Sequence, residues 1–272
     1  MVRKPCVAGA FYPGEPEELK DEVAGFLAPP AEFVAAGRVK ARALIAPHAG
    51  YVYSGHVAGA VYSVVEVPDN VILIGPNHTG MGAAVSVMAR GSWVLPSGTS
   101  EINERLAGLI LASTPLFVED NAAHLREHSL EVQLPFIQAV NPRAEIVPIT
   151  VMDAGAEEIR EMGESLAGVM AGFGPDVLVA VSSDMNHYEP DDETRRKDRL
   201  AIDRVIALDP TGLLEVTRRE GITMCGVLPA AIALTAAKAL GAERARLVKY
   251  ATSGDTSGDW SQVVGYAGFI IE

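Results

Sequence analysis

The 272-residue chain has only two cysteines, Cys6 and Cys225. Two cysteines cannot form the disulfide framework of a small secreted protein. A chain of this length does not need one, because it buries roughly three quarters of the surface that it exposes when unfolded. The length is typical of one large α/β domain, and no segment has the composition of an interdomain linker. We therefore expect residues 1–272 to form a single domain.

Positive charge is also scarce, with 22 Lys and Arg against 35 Asp and Glu and a formal net charge of −13. Sequence-independent binding of nucleic acid needs a basic surface, so we expect no nucleic-acid partner. The uncharged apolar stretch at residues 225–237 is too short to span a bilayer. Residues 1–16 contain no apolar core of a secretory signal. These absences predict a soluble cytoplasmic protein with no membrane partner.

What the chain does contain is an alternation of apolar runs and helical patterns. The runs fall at residues 41–47, 70–76, 83–89, 144–151, 176–183, 245–253 and 262–271. The helical patterns fall near residues 55–65, 101–113, 129–140, 156–172, 192–207, 210–220 and 227–240. Continuous apolar runs indicate strands that are covered on both faces. We predict an α/β fold, a three-layer sandwich with a central, largely parallel or mixed β-sheet.

Three of the apolar runs end in a histidine. His48 follows the first run, His78 the second, and His187 the run that ends near residue 183. Each histidine alone would as readily be a hydrogen-bonded loop residue. Ligands of open α/β sheets, however, bind beyond the carboxyl ends of the strands. The shared placement therefore favours one site to which His48, His78 and His187 converge.

Cys225 is a further candidate, because it lies just before a long apolar helical pattern. A thiol at a helix N-terminus ionises more readily, and the thiolate is both a nucleophile and a metal ligand. The alternative is a small buried apolar residue. Two histidines and one cysteine suit Fe, Cu or Zn and leave positions open for water or substrate. Cys6 as a fourth ligand would close the site, and the sequence leaves this open.

Residues 124–128, His-Leu-Arg-Glu-His, match the H-x-x-E-H signature of a class of zinc peptidases. In a helix, His124 and His128 would share a face beside Glu127. Ser129, however, has the character of an N-cap for a helix that starts at about residue 130, which leaves both histidines outside the helix. No downstream ligand is evident. Hydrolysis by a zinc-bound water is therefore a minor alternative.

Six sequence blocks, in this order, resemble the Memo family, which is called AmmeMemoRadiSam system protein B in archaea and bacteria. The blocks are AGAFYP (8–13), APHAGYVYSG (46–55), GPNHTG (75–80), EHSLEVQLPF (127–136), VSSDMNHY (181–188) and MCGVLPAAIAL (224–234). The resemblance implies a fold similar to the class III, LigB-type extradiol dioxygenases, which use non-haem iron. It also implies His48, His78 and Cys225 as metal ligands, with Fe(II) the expected metal and Cu or Zn the alternatives.

The same resemblance implies Asp184 and His187 as catalytic groups that transfer a proton or orient a ligand. Pocket or supporting positions would be His128, Glu131, Asn77, Tyr51 and Tyr188. The dioxygenases use a carboxylate where this chain has a thiol, which argues against extradiol ring cleavage.

We expect a metal-binding, redox-active protein whose substrate is a small molecule or a peptide. A non-catalytic ligand-binding protein is the alternative. Such a protein would be a partner of a radical SAM protein and of the A protein of the same system.

Overall fold

The computed structural model describes residues 1–35 and 37–272. The strands are β1 (Val2–Arg3), β2 (Ala43–Ala46), β3 (Asn70–Pro76), β4 (Val85–Val87), β5 (Ser92–Leu95), β6 (Gly98–Glu101), β7 (Val118–Glu119), β8 (Glu145–Val151), β9 (Val177–Ser182), β10 (His187–Glu189), β11 (Ala245–Thr252) and β12 (Val263–Ile271). The α-helices are α1 (Pro16–Phe26), α2 (Ala31–Val34), α3 (Tyr51–Val64), α4 (Glu104–Ser113), α5 (Leu134–Val140), α6 (Ala156–Phe173), α7 (Asp191–Ile206), α8 (Pro210–Glu220), α9 (Val227–Ala239) and α10 (Gly254–Ser257). Short 3-10 helices span Ala122–His124 and Glu131–Gln133.

The larger sheet has the strand order β10-β12-β2-β9-β3-β8-β4-β7, and β11 pairs with β12 on the side that β2 leaves free. Its centre is parallel, because β2, β9, β3 and β8 run in one direction. Strand β12 is antiparallel to β2, and β4 is antiparallel to β8. A second, small sheet is formed by β1, β5 and β6. The predicted α/β fold with a mixed central sheet is confirmed.

Helices pack on both faces of the larger sheet, and the strands divide their side chains between them. On β2, Ala43 and Ile45 pack in the core that contains α4, α6, α8 and α9. Leu44 and Ala46 point the other way, into the core that contains α1, α3 and α5. Successive side chains of a strand point to opposite faces, so a strand between two helical layers is apolar at every position. This division explains the continuous apolar runs.

The segment after His128 differs from the prediction. Residues Glu131–Gln133 form a 3-10 turn, and α5 begins only at Leu134, with Pro135 in its first turn. The predicted N-cap role of Ser129 is wrong, because its hydroxyl donates to the Pro76 carbonyl over 3.1 Å instead of to a helix terminus. This contact ties the segment to the end of β3, so Glu127 and His128 lie beside that strand end.

The part of the chain that the structure describes has no helix long and apolar enough to cross a membrane.

Candidate functional site

A pocket of about 650 Å³ lies at the carboxyl ends of β2, β3 and β9. Its wall brings together the predicted residues His48, His78, His128, Asp184, His187, Tyr188 and Cys225. The strand-end placement explains the convergence, because the loops that follow parallel strands meet at one edge of the sheet. Phe11 and Thr223 line the same pocket and were not among the predicted site residues.

Three histidines form the centre of the pocket. His48, His78 and His128 each offer a ring nitrogen, and these three atoms lie within 4.8 Å of one another. The rings of His78 and His128 are stacked, with centroids 4.8 Å apart. Imidazole nitrogens at this spacing can hold a transition-metal ion. His187 lines the same pocket but is not a member of this group.

His48 presents its Nε2 atom to the pocket because its other nitrogen is already used. Nδ1 lies 2.9 Å from the Ser182 hydroxyl. That hydroxyl donates its single proton to the Ser129 carbonyl over 2.6 Å, so it must accept from His48. Burial lowers the pKa of His48 well below its ordinary value, and the neighbouring His128 and His78 lower it further. His48 is therefore neutral, with its lone pair on Nε2, which lies 3.3 Å from the Cys225 sulfur.

His78 is oriented by Glu127, a buried residue that belongs both to the H-x-x-E-H pattern and to the EHSLEVQLPF block. Oε1 of Glu127 accepts from His78 Nδ1 over 2.9 Å, and Oε2 accepts from the His78 backbone N–H over 2.6 Å. Such carboxylate partners fix the tautomer of a ligating histidine and leave Nε2 for the metal.

The protonation of Glu127 agrees with this role. Burial would raise the pKa of the carboxyl, but the hydrogen bonds and charge of His78 outweigh burial and lower the pKa to about 2. The sequence signal for Glu127 was present, because Glu127 immediately precedes His128.

Cys225 lies at the edge of the three-histidine group. Its Sγ atom is 3.3 Å from His48 Nε2, and the Asp184 backbone N–H donates to it, also over 3.3 Å. The expectation that its position before α9 makes the thiol acidic is wrong. Burial, and then the Asp184 carboxylate, raise the pKa of Cys225 more than the hydrogen bonds of the Asp184 N–H, the Ser183 hydroxyl and the Gly226 N–H lower it. A cation bound beside the sulfur would favour the thiolate.

Asp184 is buried behind His48. Its Oδ1 atom accepts from the His48 backbone N–H over 2.7 Å, and Oδ2 is 4.0 Å from His48 Nε2. Burial raises the pKa of Asp184, while the hydrogen bond from His48 opposes the rise. The carboxyl group therefore lies in the pocket wall beside His48.

Tyr188 forms the exposed rim of the pocket, with 72 % of its surface accessible. Its φ angle of 60° is in the left-handed region, which is unusual for a residue other than glycine. The register between β10 and β12 shifts here, between His187 and Glu189. Backbone conformations of this kind are concentrated at functional sites.

Glu131 does not line the pocket but supports it from behind. The carboxylate is fully buried, pairs with the guanidinium of Arg3, and accepts from the Tyr12 hydroxyl over 2.6 Å. Arg3 also donates to the carbonyls of His124 and Glu127, over 2.9 Å and 2.7 Å. Burial would raise the pKa of Glu131, but the Arg3 charge and the hydrogen bonds hold it below its ordinary value. The pair binds the N-terminal segment to the segment that carries His128.

Tyr51 and Asn77 also lie outside the pocket wall. The buried Tyr51 hydroxyl donates to the Val132 carbonyl over 2.7 Å, which braces the turn before α5. Asn77 accepts at Oδ1 from the backbone N–H groups of Thr79 and Gly80, which shapes the loop that carries His78. Both residues support the site without facing its centre.

The two remaining candidate ligands, His124 and Cys6, are not members of the histidine group. His124 is fully buried, and its ring packs edge-on to Trp93 with centroids 6.0 Å apart. Cys6 is exposed, with its sulfur 3.3 Å from an Arg3 nitrogen. Neither residue lines the pocket. The H-x-x-E-H pattern is therefore not a pair of metal ligands on one helical face.

Comparisons with known proteins agree with the sequence blocks. The profile of the family described as Memo-like protein matches residues 3–270. The MEMO1 family protein MK0963 of Methanopyrus kandleri is 41% identical over 280 residues, covering 100% of this chain and 99% of the relative. A MEMO1 family protein of Aquifex aeolicus is 44% identical over 274 residues, covering 99% of each.

A solved structure, that of the uncharacterized protein JW3007 from Escherichia coli K12, shares the fold at 13% identity. Its TM-score is 0.58, and the match covers 85% of this chain and 100% of that one. This likeness concerns the fold alone, whereas the family profile and the relatives span essentially the whole chain. The chain belongs to the Memo family.

Proposed function

We propose that the pocket binds a redox-active transition-metal ion, with Fe(II) preferred over Cu, and that the protein is a metal-dependent oxidoreductase. The observation that supports this proposal is the group of three ring nitrogens within 4.8 Å at the carboxyl edge of the sheet. His48 and His78 are ligands in either arrangement that the pocket allows. The third ligand is Cys225, as the family resemblance implies, or His128, which completes the histidine group.

The donor set favours a transition metal over Mg²⁺ or Ca²⁺, because nitrogen and sulfur ligands suit softer cations. Glu127 and Ser182 hold His78 and His48 with Nε2 available, which is the arrangement of supporting partners found around ligating histidines. When bound, such a metal would supply electron transfer and Lewis acidity to a substrate. Asp184 supplies a buried carboxyl group for proton transfer beside it.

The resemblance to LigB-type dioxygenases supports the oxidoreductase assignment. The resemblance implies that the thiol of Cys225 stands where those enzymes have a carboxylate, so we propose a reaction other than extradiol ring cleavage. Ligand identity tunes the reactivity of the metal, which is the physical reason for this distinction.

Metal analysis of untagged protein purified without oxygen tests the proposal. The wild type is expected to retain bound iron or copper, and a variant with both His48→Ala and Cys225→Ser is expected to lose it. Equal and negligible metal in the two proteins would overturn the proposal. Single variants Cys225→Ser and His128→Gln identify the third ligand, since only a ligating thiolate adds sulfur-to-metal charge-transfer absorption.

A non-catalytic role is the second candidate. The 72 % exposure of Tyr188 at the rim favours it, because an exposed aromatic residue is suited to contact a partner. The partners would be a radical SAM protein and the A protein of the same system. Inactivity of the metal-loaded protein across a broad substrate screen, together with specific co-purification of these partners, would favour this role. Turnover of any substrate would favour the enzyme.

A further inference from the structure

The loop between α8 and α9 places Thr223 in the wall of the pocket. Ile222 and Met224 on either side of Thr223 are buried in the larger core. Gly221 begins the loop with a φ angle of 61°, and Cys225 follows it into the pocket wall. Because its neighbours point inward, Thr223 faces outward and lines the pocket.

Thr223 contacts His187 at two points. The His187 backbone N–H donates to the Thr223 hydroxyl over 2.8 Å, and His187 Nδ1 lies 2.9 Å from the Thr223 carbonyl oxygen. A carbonyl oxygen can only accept a hydrogen bond, so Nδ1 must carry the proton. In the neutral ring the lone pair is then on Nε2. Among residues 1–35 and 37–272, no protein group hydrogen-bonds to Nε2.

One further contact would favour the other tautomer of His187 if it were the stronger hydrogen bond. The Thr223 hydroxyl is also 3.5 Å from His187 Nδ1, and a hydrogen bond from the hydroxyl to this nitrogen would require Nδ1 to be unprotonated. A hydroxyl has only one proton, and the Thr223 hydroxyl lies closer to Asn186 Oδ1, at 3.2 Å. The proton therefore goes to Asn186, and the shorter contact to the carbonyl decides the tautomer of His187.

Asn186 holds Thr223 in this position. Its side chain is fully buried, and Oδ1 accepts from the Thr223 backbone N–H over 3.1 Å as well as from the hydroxyl. The Asn186 amide nitrogen donates to Glu189 over 2.6 Å, and its backbone N–H donates to Asp198 over 2.9 Å. With every polar group of Asn186 occupied, the loop that contains Thr223 and the strand that contains His187 are fixed to each other.

We propose that Thr223 is a positioning residue that holds His187 in the Nδ1–H tautomer, with Nε2 presented to the pocket as a proton acceptor. The use of Nε2 in a reaction rests on the proposed function. In that reaction, Nε2 takes a proton from an acidic O–H or N–H group of the bound substrate. The His187 ring becomes imidazolium, and the electron pair stays on the substrate. The Nδ1–H bond to the Thr223 carbonyl is kept throughout and stabilises the cation.

Nitrogen NMR of the full chain labelled with ¹⁵N-histidine tests the proposal without any substrate. The chain has only six histidines, and comparison with His187→Gln assigns the His187 signals. In wild type, Nδ1 is expected at the protonated ring-nitrogen position and Nε2 at the unprotonated one. Thr223→Ser, which keeps the hydroxyl, is expected to preserve this wide separation.

Thr223→Val keeps the carbonyl but removes, at nearly constant volume, the hydroxyl that accepts from the His187 backbone N–H and donates to Asn186. Without these two contacts, the bond from His187 Nδ1 to the carbonyl is expected to loosen, so the two shifts should move toward a common averaged value. Thr223→Ala gives the same readout if the valine variant does not fold. Thr211→Val is the matched control, since Thr211 is exposed on α8, and it should leave the His187 shifts unchanged.

A wild-type His187 protonated on Nε2 would overturn the proposal, as would an unchanged tautomer in both hydroxyl-free variants. The same samples are titrated with Zn²⁺ as a diamagnetic probe. Absence of Zn²⁺-induced shifts at His48 and His78 would count against the proposed metal site. The tautomer of His187 is read separately, so the two failures are distinguishable.

Discussion

Replacement of Glu127 by glutamine should weaken metal binding through its effect on His78. The carboxylate accepts three hydrogen bonds, two at Oε1 from His78 Nδ1 and Ser129 N, and one at Oε2 from the His78 backbone. Glutamine has one oxygen and one NH₂ group. If NH₂ replaces Oε2, it meets the His78 N–H, and two donors face each other. If it replaces Oε1, His78 Nδ1 must accept, which moves the ring proton to the metal-facing Nε2.

The size of the effect follows from either outcome. A buried donor without an acceptor costs about 1–3 kcal/mol of folding free energy. Loss of the partner that orients a ligating histidine typically lowers metal affinity about 10–100-fold. This is a loss of about 1.4–2.7 kcal/mol in binding free energy. We therefore expect Glu127→Gln to fold with reduced stability and to bind Zn²⁺ or Fe(II) one to two orders of magnitude more weakly.

Competition with a chromophoric chelator under anaerobic conditions measures the affinity, and urea unfolding measures the stability. Glu161→Gln is the control, because Glu161 is an exposed carboxylate that accepts one hydrogen bond from Thr114 away from the pocket. It should leave the metal affinity unchanged. A folded Glu127→Gln protein that binds metal as tightly as the wild type would refute the role of Glu127.

Three further predictions concern buried residues outside the pocket wall. Arg3→Met leaves the buried Glu131 without its counter-charge, so urea unfolding should show a loss of about 3–5 kcal/mol; a loss below about 1 kcal/mol, the range of surface pairs, would contradict this. Burial raises the pKa of Asp198 from 3.8 to about 7. Between these pH values the folded state therefore binds more protons than the unfolded state. The free energy of unfolding should therefore fall as the pH rises from 4 to 7, and Asp198→Asn should flatten this slope; an equal slope in both proteins would refute the assignment. His124→Leu replaces a buried ring whose nitrogens have no hydrogen-bond partner among the described residues. The His124→Leu variant should retain bound metal and lose no stability. Loss of metal would support the peptidase interpretation instead.

The layered fold could be predicted from local pattern alone. A strand between two helical layers must be apolar at every position, and this property is visible in a short window of sequence. The order of the strands could not be predicted in the same way. β2 lies beside β9, although more than a hundred residues separate them along the chain. That pairing depends on how the helices pack, which no short window of sequence shows. The late start of α5 was missed because Ser129 bonds to the end of β3, a contact with no local signature.

The sequence by itself determined that His48, His78 and His187 follow apolar strands, and parallel strands deliver the residues that follow them to one edge of a sheet. Only the tertiary structure decided which nitrogen each ring presents. Glu127 is 49 residues from His78, and Thr223 is 36 residues from His187. A hydrogen bond a few ångströms long across such a separation depends on the packing of whole elements, and no spacing along the chain encodes it. Ring orientation and protonation, on which metal binding and proton transfer depend, are therefore properties of the folded chain.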